Sequence, residues 1–252
     1  MGRDNHPRDR QRAKIERKQG HRAPGRRFLI VCEGKKTEPY YLEELRTALR
    51  LPTANLHILH EGVTEPRQIL EAALDVFLEG KGDLRKKAAD VLIAVFDRDE
   101  HRTYHEALAL ARELDARGMK NDEKKPVRVF AVPSNSCFEL WLLLHWKDVQ
   151  TPVHRHDAFV QVRQNLSDYE KGCRGVFAQT VPLLPEAAKR AFRLESCCDP
   201  LDGPWTSVPT LLQFLLDADL EFPAASAELR GQLDKLPELE VRLSMLFPKQ
   251  TP

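Results

Sequence analysis

The chain lacks several features that would assign it to a familiar class. It has no apolar run of 18 residues, so we expect no membrane-spanning helix. Its five cysteines show no zinc-ligand spacing, which argues against a structural zinc site and fits a reducing compartment. The first 27 residues contain no apolar segment of the kind found in signal peptides. These absences together predict a cytoplasmic protein without a membrane anchor.

Charge is unevenly distributed along the chain. Residues 1–27 contain ten Lys or Arg and three Asp or Glu, whereas the other 225 residues contain 29 basic and 35 acidic side chains. The N-terminal segment has almost no apolar residues and cannot bury a core, so we expect a disordered basic arm over residues 1–26. Such arms often neutralise nucleic-acid phosphates, but a solvated tail with no binding role would have the same composition.

After the arm, short apolar segments alternate with amphipathic ones. Strands are predicted at 28–33, 56–60, 91–97 and 127–132, and helices at 38–50, 65–79 and 103–117. The segment VLIAVFD is uniformly apolar, as expected of a parallel strand that is covered on both faces. Strands that alternate with helices predict an α/β domain with a parallel sheet over residues 27–149.

Beyond Pro133 the pattern becomes helical. The segment NSCFELWLLLHW at 135–146 predicts a buried helix, and no strand is predicted after residue 150. Further helices are predicted at 183–195, 207–219, 224–234 and 236–246. We therefore expect a C-terminal helical extension over residues 150–252 that completes or caps the α/β domain.

Acidic residues follow two of the predicted strands directly. FLIVCE ends in Glu33, and VLIAVFDRD contains Asp97 and Asp99. In an open α/β sheet, ligands bind beyond the carboxyl ends of the strands, so these acids should share one crevice. Carboxylates held that close repel one another, and a hard divalent cation relieves the repulsion. The pattern predicts a Mg²⁺ or Mn²⁺ site, a kind of site that commonly acts on phosphate esters.

Other charged residues lie near these acids in the sequence. Glu139 falls within an apolar segment, where burial is costly without a partner; that partner could be a metal, Arg98, Lys35 or His101. Lys35 and Lys36 could reach a phosphate or a transition-state anion, although such lysines are often simply solvated. His101, at a helix entrance, could act as a general base, although surface histidines are common.

Three segments, CEGKKTEPYYL, VFDRDEH and SNSCFELWLLLH, resemble the RloB-like family in their order and spacing. The resemblance covers about residues 26–215. It implies a Toprim-type fold, related to the catalytic domains of topoisomerases, primases and OLD-type nucleases. It also implies a metal-dependent nuclease in bacterial abortive-infection defence against phage, with DNA or RNA as substrate and an AAA- or ABC-type ATPase as partner.

The resemblance also implies residue roles. Glu33 matches the first-strand glutamate of the Toprim pattern, with a role as acid or base, and Glu38 stands where a second acid of that motif would lie. The residues implied to serve catalysis are Glu33, Asp97, Asp99, Glu139 and Lys35, and the four acids among them are the implied metal ligands. The match of Glu139 is looser, because it lies three residues after Ser136 rather than two.

Two alternatives stay open at this point. Asp-x-Asp after an apolar strand is also typical of HAD-type phosphatases, in which Asp97 would be the nucleophile; that motif normally follows the first strand of the domain, whereas here α/β structure precedes it. The other alternative is a non-catalytic module that binds nucleic acid or an ATPase, with the acids forming a structural metal site.

Overall fold

A computed structural model of the protein describes residues 25–49, 51–98, 101–198 and 203–216. They form a five-stranded sheet with helices packed on both faces. The predicted α/β class with a mostly parallel sheet is therefore confirmed, and the arrangement is consistent with a Toprim-like domain. Asp99, residues 1–24 of the arm and the helices predicted at 224–234 and 236–246 lie outside the described residues.

The sheet has the strand order β2-β1-β3-β4-β5, in which the first four strands are parallel and β5 runs antiparallel to β4. The strands are β1 (Phe28–Cys32), β2 (Leu56–Leu59), β3 (Val91–Asp97), β4 (Arg128–Asn135) and β5 (Trp205–Thr206). The helices are α1 (Thr37–Ala48), α2 (Pro66–Glu79), α3 (Tyr104–Ala116), α4 (Glu139–Leu143), α5 (Arg155–Asn165), α6 (Val176–Thr180), α7 (Leu184–Cys197) and α8 (Val208–Leu216). Within this part of the chain, no helix has the length and apolar character needed to cross a bilayer.

The sheet separates two hydrophobic cores. Phe28, Ile30 and Cys32 of β1 face the core shared with α1, α4 and the later helices, whereas Leu29 and Val31 face the core shared with α2 and α3. All five side chains are fully buried. Because a strand covered on both faces needs apolar residues at every position, β1 and β3 read as continuous apolar runs in the sequence.

The C-terminal part differs from the prediction in β5, in the helix that follows β4, and in the helices α5 and α6, which lie outside the predicted helical segments. β5 was not predicted; it is only two residues long, which is too short to show an alternating pattern, and it pairs with Ser134 and Asn135 of β4. The helix predicted at 135–146 begins only at Glu139, because β4 continues through Asn135. The prediction of no strand after residue 150 is therefore wrong, while the mainly helical character of the described extension is confirmed.

Arg27 lies at the junction between the arm and the fold, and it belongs to the fold. Its side chain is buried and its guanidinium lies 2.7 Å from Asp90 Oδ1 and 2.8 Å from Asp122 Oδ1. Asp90 immediately precedes β3, so Arg27 ties the start of β1 to the start of its central neighbour. Any truncation of the arm must therefore leave Arg27 in place.

Candidate functional site

Two of the predicted acids meet at the carboxyl edge of the sheet. Cys32 of β1 and Val95 of β3 are partners in parallel register, so the two strands end side by side. The N–H of Glu33 donates to the carbonyl of Val95 at 2.9 Å, and the N–H of Asp97 donates to Oε2 of Glu33 at 2.8 Å. The structure thus brings Glu33 and Asp97 together, as expected for acids at the ends of neighbouring parallel strands.

Two more acids are buried beside them. Glu38 lies in the first turn of α1 with 5% of its surface exposed, and Glu139 begins α4 with 2% exposed. Burial, together with the negative charges of Glu139 and Glu33, raises the pKa of Glu38 to about 7. We refer to Glu33, Glu38, Asp97 and Glu139 as the acidic cluster.

A glycine makes room for the second member of this cluster. A β-carbon at position 34 would overlap the carboxylate of Glu38. Gly34 therefore allows the Glu38 side chain to fold back against the loop that follows β1. This contact explains why a residue without a side chain stands between Glu33 and the two lysines.

Glu139 has protein partners that lie far away in the sequence. The hydroxyl of Tyr169 donates to Oε1 of Glu139 at 3.1 Å, and Nζ of Lys171 lies 3.3 Å from the same oxygen. Burial and the adjacent Glu139 carboxylate raise the pKa of Tyr169 well above its ordinary range, so it remains a neutral O–H donor. The structure therefore gives Glu139 two protein partners that differ from the sequence candidates, which were Arg98, Lys35 and His101.

The other two acids contact basic side chains at the rim. Arg155, the first residue of α5, places Nη2 3.5 Å from Oδ2 of Asp97. The His101 ring lies between two glutamates. Its Nε2 atom is 3.9 Å from Oε1 of Glu33, and its Nδ1 atom is 3.3 Å from Oε1 of Glu65. No sequence pattern indicates these contacts of Arg155 and Glu65, because both contacts depend on how distant elements pack.

Lys35 and Lys36 are exposed in the loop after Gly34. A long connection packs against this loop. This connection, the 166–175 segment, links α5 to α6. The stem of Lys36 lies against Gly172, and the guanidinium of Arg174 stacks over the Tyr40 ring at 4.0 Å from its centroid. The 166–175 segment, which also carries the two partners of Glu139, therefore covers one side of the acidic cluster.

The acidic cluster has the donor chemistry that a hard divalent cation requires, although it is not a ready-made metal site. Among the residues that the structure describes, no three His, Cys, Asp or Glu side chains form a group that could hold a metal ion as they stand. Asp99, the remaining predicted ligand, lies outside those residues. Oε2 of Glu38, however, is a buried carboxylate oxygen without a hydrogen-bond partner in the described structure. An oxygen of this kind, surrounded by like charges, fits a divalent cation.

The raised pKa of Glu38 gives a prediction on stability. Its folded pKa lies above the unfolded value, so the stability that its protonation contributes is complete below about pH 4.5 and is lost as the pH rises towards about 7. In metal-free buffer, we expect Glu38→Gln to raise the free energy of unfolding at pH 8 by up to about 3 kcal/mol and to have little effect at pH 4.5. Urea denaturation in EDTA at both pH values measures this difference.

Glu43→Gln is the matched control for this experiment. Glu43 lies on the same helix but forms a partly exposed ion pair with Arg174 at 3.3 Å. Its replacement should change the free energy of unfolding by less than about 1 kcal/mol at either pH. A lower free energy of unfolding for Glu38→Gln at pH 8 would contradict this prediction. It would show that the charged Glu38 carboxylate stabilises the folded protein.

The comparison with known families agrees with the three sequence segments. A family model described as RloB-like protein matches residues 28–215, a range that includes the whole acidic cluster and the 166–175 segment. The chain therefore belongs to the RloB-like family. No curated protein and no solved structure matches the chain significantly.

Proposed function

We propose that this RloB-like protein is a Mg²⁺- or Mn²⁺-dependent nuclease. The observation that carries the proposal is the acidic cluster itself. Four carboxylates from β1, α1, β3 and α4 converge at the carboxyl edge of the sheet, and one of them keeps a buried oxygen without a hydrogen-bond partner in the described structure. Buried like charges cost stability, so their convergence points to a cation and to ligand binding rather than to packing.

The residues of the cluster have distinct places in this proposal. Glu33 and Asp97 would hold the cation at the strand ends, together with Asp99. The backbone N–H of Asp97 fixes the orientation of the Glu33 carboxylate, which makes Glu33 the candidate acid or base. Glu38 and Glu139 would complete a second position. When bound, two such ions supply an activated water and stabilise the leaving oxygen of a phosphodiester.

The rim of the acidic cluster is basic, which suits a polyanionic substrate. Lys35 and Lys36 are exposed on the loop after β1, and Arg155 and Lys171 approach the cluster from the helical extension with about half of each side chain exposed. Cations at these positions could contact the phosphates that flank a scissile bond. Lys35, nearest to Gly34, is the candidate for stabilising the transition-state anion.

Membership of the RloB-like family supports a biological setting for this activity. We propose that the nuclease acts in bacterial abortive-infection defence against phage, together with an AAA- or ABC-type ATPase. A survey of DNA, RNA and tRNA as substrates, with Mn²⁺ and with or without the ATPase encoded nearby, tests substrate class and partner together. Cleavage only in the presence of the ATPase would identify it as an obligatory activator.

One observation favours a second candidate function, a non-catalytic binding module. Asp97 and Glu139 already contact Arg155 and Lys171, which partly neutralise the cluster without a metal. A module of this kind would bind nucleic acid or an ATPase and leave its substrate intact. Retained nucleic-acid binding without cleavage under every condition of the substrate survey would favour it over the nuclease.

The basic arm gives a prediction about nucleic-acid binding that does not depend on whether the protein cleaves its ligand. Residues 1–24 contain eight Lys or Arg and three Asp or Glu. If the arm contacts phosphates, its deletion should weaken nucleic-acid binding equally for all sequences and flatten the salt dependence of the affinity. Binding of labelled DNA and RNA across a salt series, with the full chain and with residues 25–252, measures both effects.

Folding provides the control for the arm deletion. The shorter chain keeps Arg27, so its thermal stability should equal that of the full chain. An additional Arg27→Ala change should lower the stability, because it removes the buried guanidinium that pairs with both Asp90 and Asp122. An unchanged affinity with an unchanged salt slope would show that the arm takes no part in binding.

A further inference from the structure

One oxygen of the Glu139 carboxylate has two protein donors, and these limit how that oxygen can bind a cation. The Oε1 atom accepts the hydroxyl proton of Tyr169 and also faces the ammonium group of Lys171. A carboxylate oxygen has two lone-pair positions, so these two contacts occupy both. A cation that binds through this oxygen must take the place of one of the two donors.

The two donors differ in how firmly they are held. Tyr169 is 2% exposed and its ring packs against Phe159 in the larger core, so its hydroxyl is fixed by the fold. Lys171 reaches the cluster from the 166–175 segment with half of its side chain exposed. A lysine has a flexible stem and a strongly hydrated ammonium, so it can move into solvent at small cost. Lys171 is therefore the donor that a cation at Glu139 would displace.

We propose that Lys171 is an internal counter-ion that occupies the acidic cluster until a divalent cation displaces it. This proposal rests on the metal binding proposed above. It adds that Lys171 leaves the acidic cluster when the cation binds. In the metal-free protein the Lys171 ammonium offsets the charge of buried Glu139 and, at longer range, that of Glu38. In the metal-bound protein that compensation is redundant, and the freed ammonium becomes available to a substrate phosphate.

Release of Lys171 also removes one of the contacts that hold the 166–175 segment. The ion pair with Glu139 is one of its attachments, along with the contact between Gly172 and Lys36 and the stacking of Arg174 on Tyr40. The neighbouring Cys173 is a half-buried free thiol that packs against the larger core. Metal binding should therefore increase the exposure of the Cys173 thiol.

The direct test compares Mn²⁺ affinities of metal-free wild-type and variant proteins by calorimetry. Lys171→Met keeps the aliphatic stem but removes the charge, and it should bind Mn²⁺ on the order of tenfold more tightly, because a competing cation is gone. Lys171→Arg keeps the charge and should bind no more tightly than wild type. Lys189→Met is the control, because Lys189 lies on α7 in an exposed pair with Glu186 and should leave the affinity unchanged.

A second readout does not depend on a variant of Lys171. In a Cys197→Ser, Cys198→Ser background, where the other thiols are the buried Cys32 and Cys137, saturating Mn²⁺ should increase the rate of Cys173 modification several-fold. Equal or weaker Mn²⁺ binding by Lys171→Met, or an unchanged rate of Cys173 modification on metal binding, overturns the counter-ion proposal while leaving the metal site intact. Absence of Mn²⁺ binding in all proteins overturns both the counter-ion and the metal site.

Discussion

We expect saturating Mg²⁺ or Mn²⁺ to stabilise the wild-type protein against heat, and Asp97→Asn to abolish this stabilisation. A cation at 100 times its dissociation constant stabilises a folded protein by about 2.7 kcal/mol, and this gain disappears if the ligand set is broken. Asp97 is the acid that lies at the end of the central strand β3 and whose backbone holds Glu33. Differential scanning fluorimetry across a metal titration measures the effect.

The metal-free stability of the same variant separates metal binding from folding. Asn at position 97 weakens a contact with half-exposed Arg155 and removes a charge from the acidic cluster. These effects oppose each other, so the unfolding free energy in EDTA should stay within about 1 kcal/mol of wild type or rise. Asp75→Asn, on the exposed face of α2, is the control and should keep the full metal response. A wild-type protein that saturating metal does not stabilise would refute the metal site.

Glu139→Gln should lower metal-dependent cleavage by about 10- to 100-fold while the fold is retained, because it weakens the proposed second metal position. Glutamine has the same shape and can still accept the hydroxyl proton of Tyr169, so the α4 region should remain packed. What it lacks is the negative charge that a metal requires and that Lys171 compensates. Initial cleavage rates at saturating Mn²⁺, together with the melting temperature in EDTA, separate the two contributions.

The comparison variant for Glu139 is Glu186→Gln, which removes a carboxylate from an exposed pair with Lys189 on α7. It should match wild type in both rate and melting temperature. If Glu139→Gln retained full activity and melted at a lower temperature, Glu139 would be assigned a purely structural role as the partner of Tyr169 and Lys171.

The parts of the fold that the sequence predicts are those governed by local pattern. β1 and β3 are recognisable because both of their faces are buried and every residue is apolar. The meeting of Glu33 and Asp97 follows from the same pattern, since neighbouring parallel strands end at one edge. Glu38 was suggested by its place in the family motif, but its burial against Gly34 required the structure.

The residues that the sequence does not reveal are those placed by long-range packing. Tyr169 and Lys171 reach Glu139 from a polar connection whose composition is that of any surface loop. Arg155 meets Asp97 only because α5 packs against α4, the helix that follows β4. β5 joins the sheet from more than sixty residues beyond β4, with two residues that carry no strand pattern. None of these contacts leaves a periodic or compositional signal.

The most direct test of the proposed nuclease activity is cleavage of the substrate that the survey selects, by wild-type protein and by Asp97→Ala, in Mn²⁺ and in EDTA. If the acidic cluster carries the reaction, product should form only with wild-type protein and Mn²⁺. The circular dichroism spectrum of Asp97→Ala should equal that of wild type. Equal cleavage by folded Asp97→Ala, or cleavage by wild type in EDTA, would contradict the account, because the reaction would then not depend on the carboxylates at the end of β3.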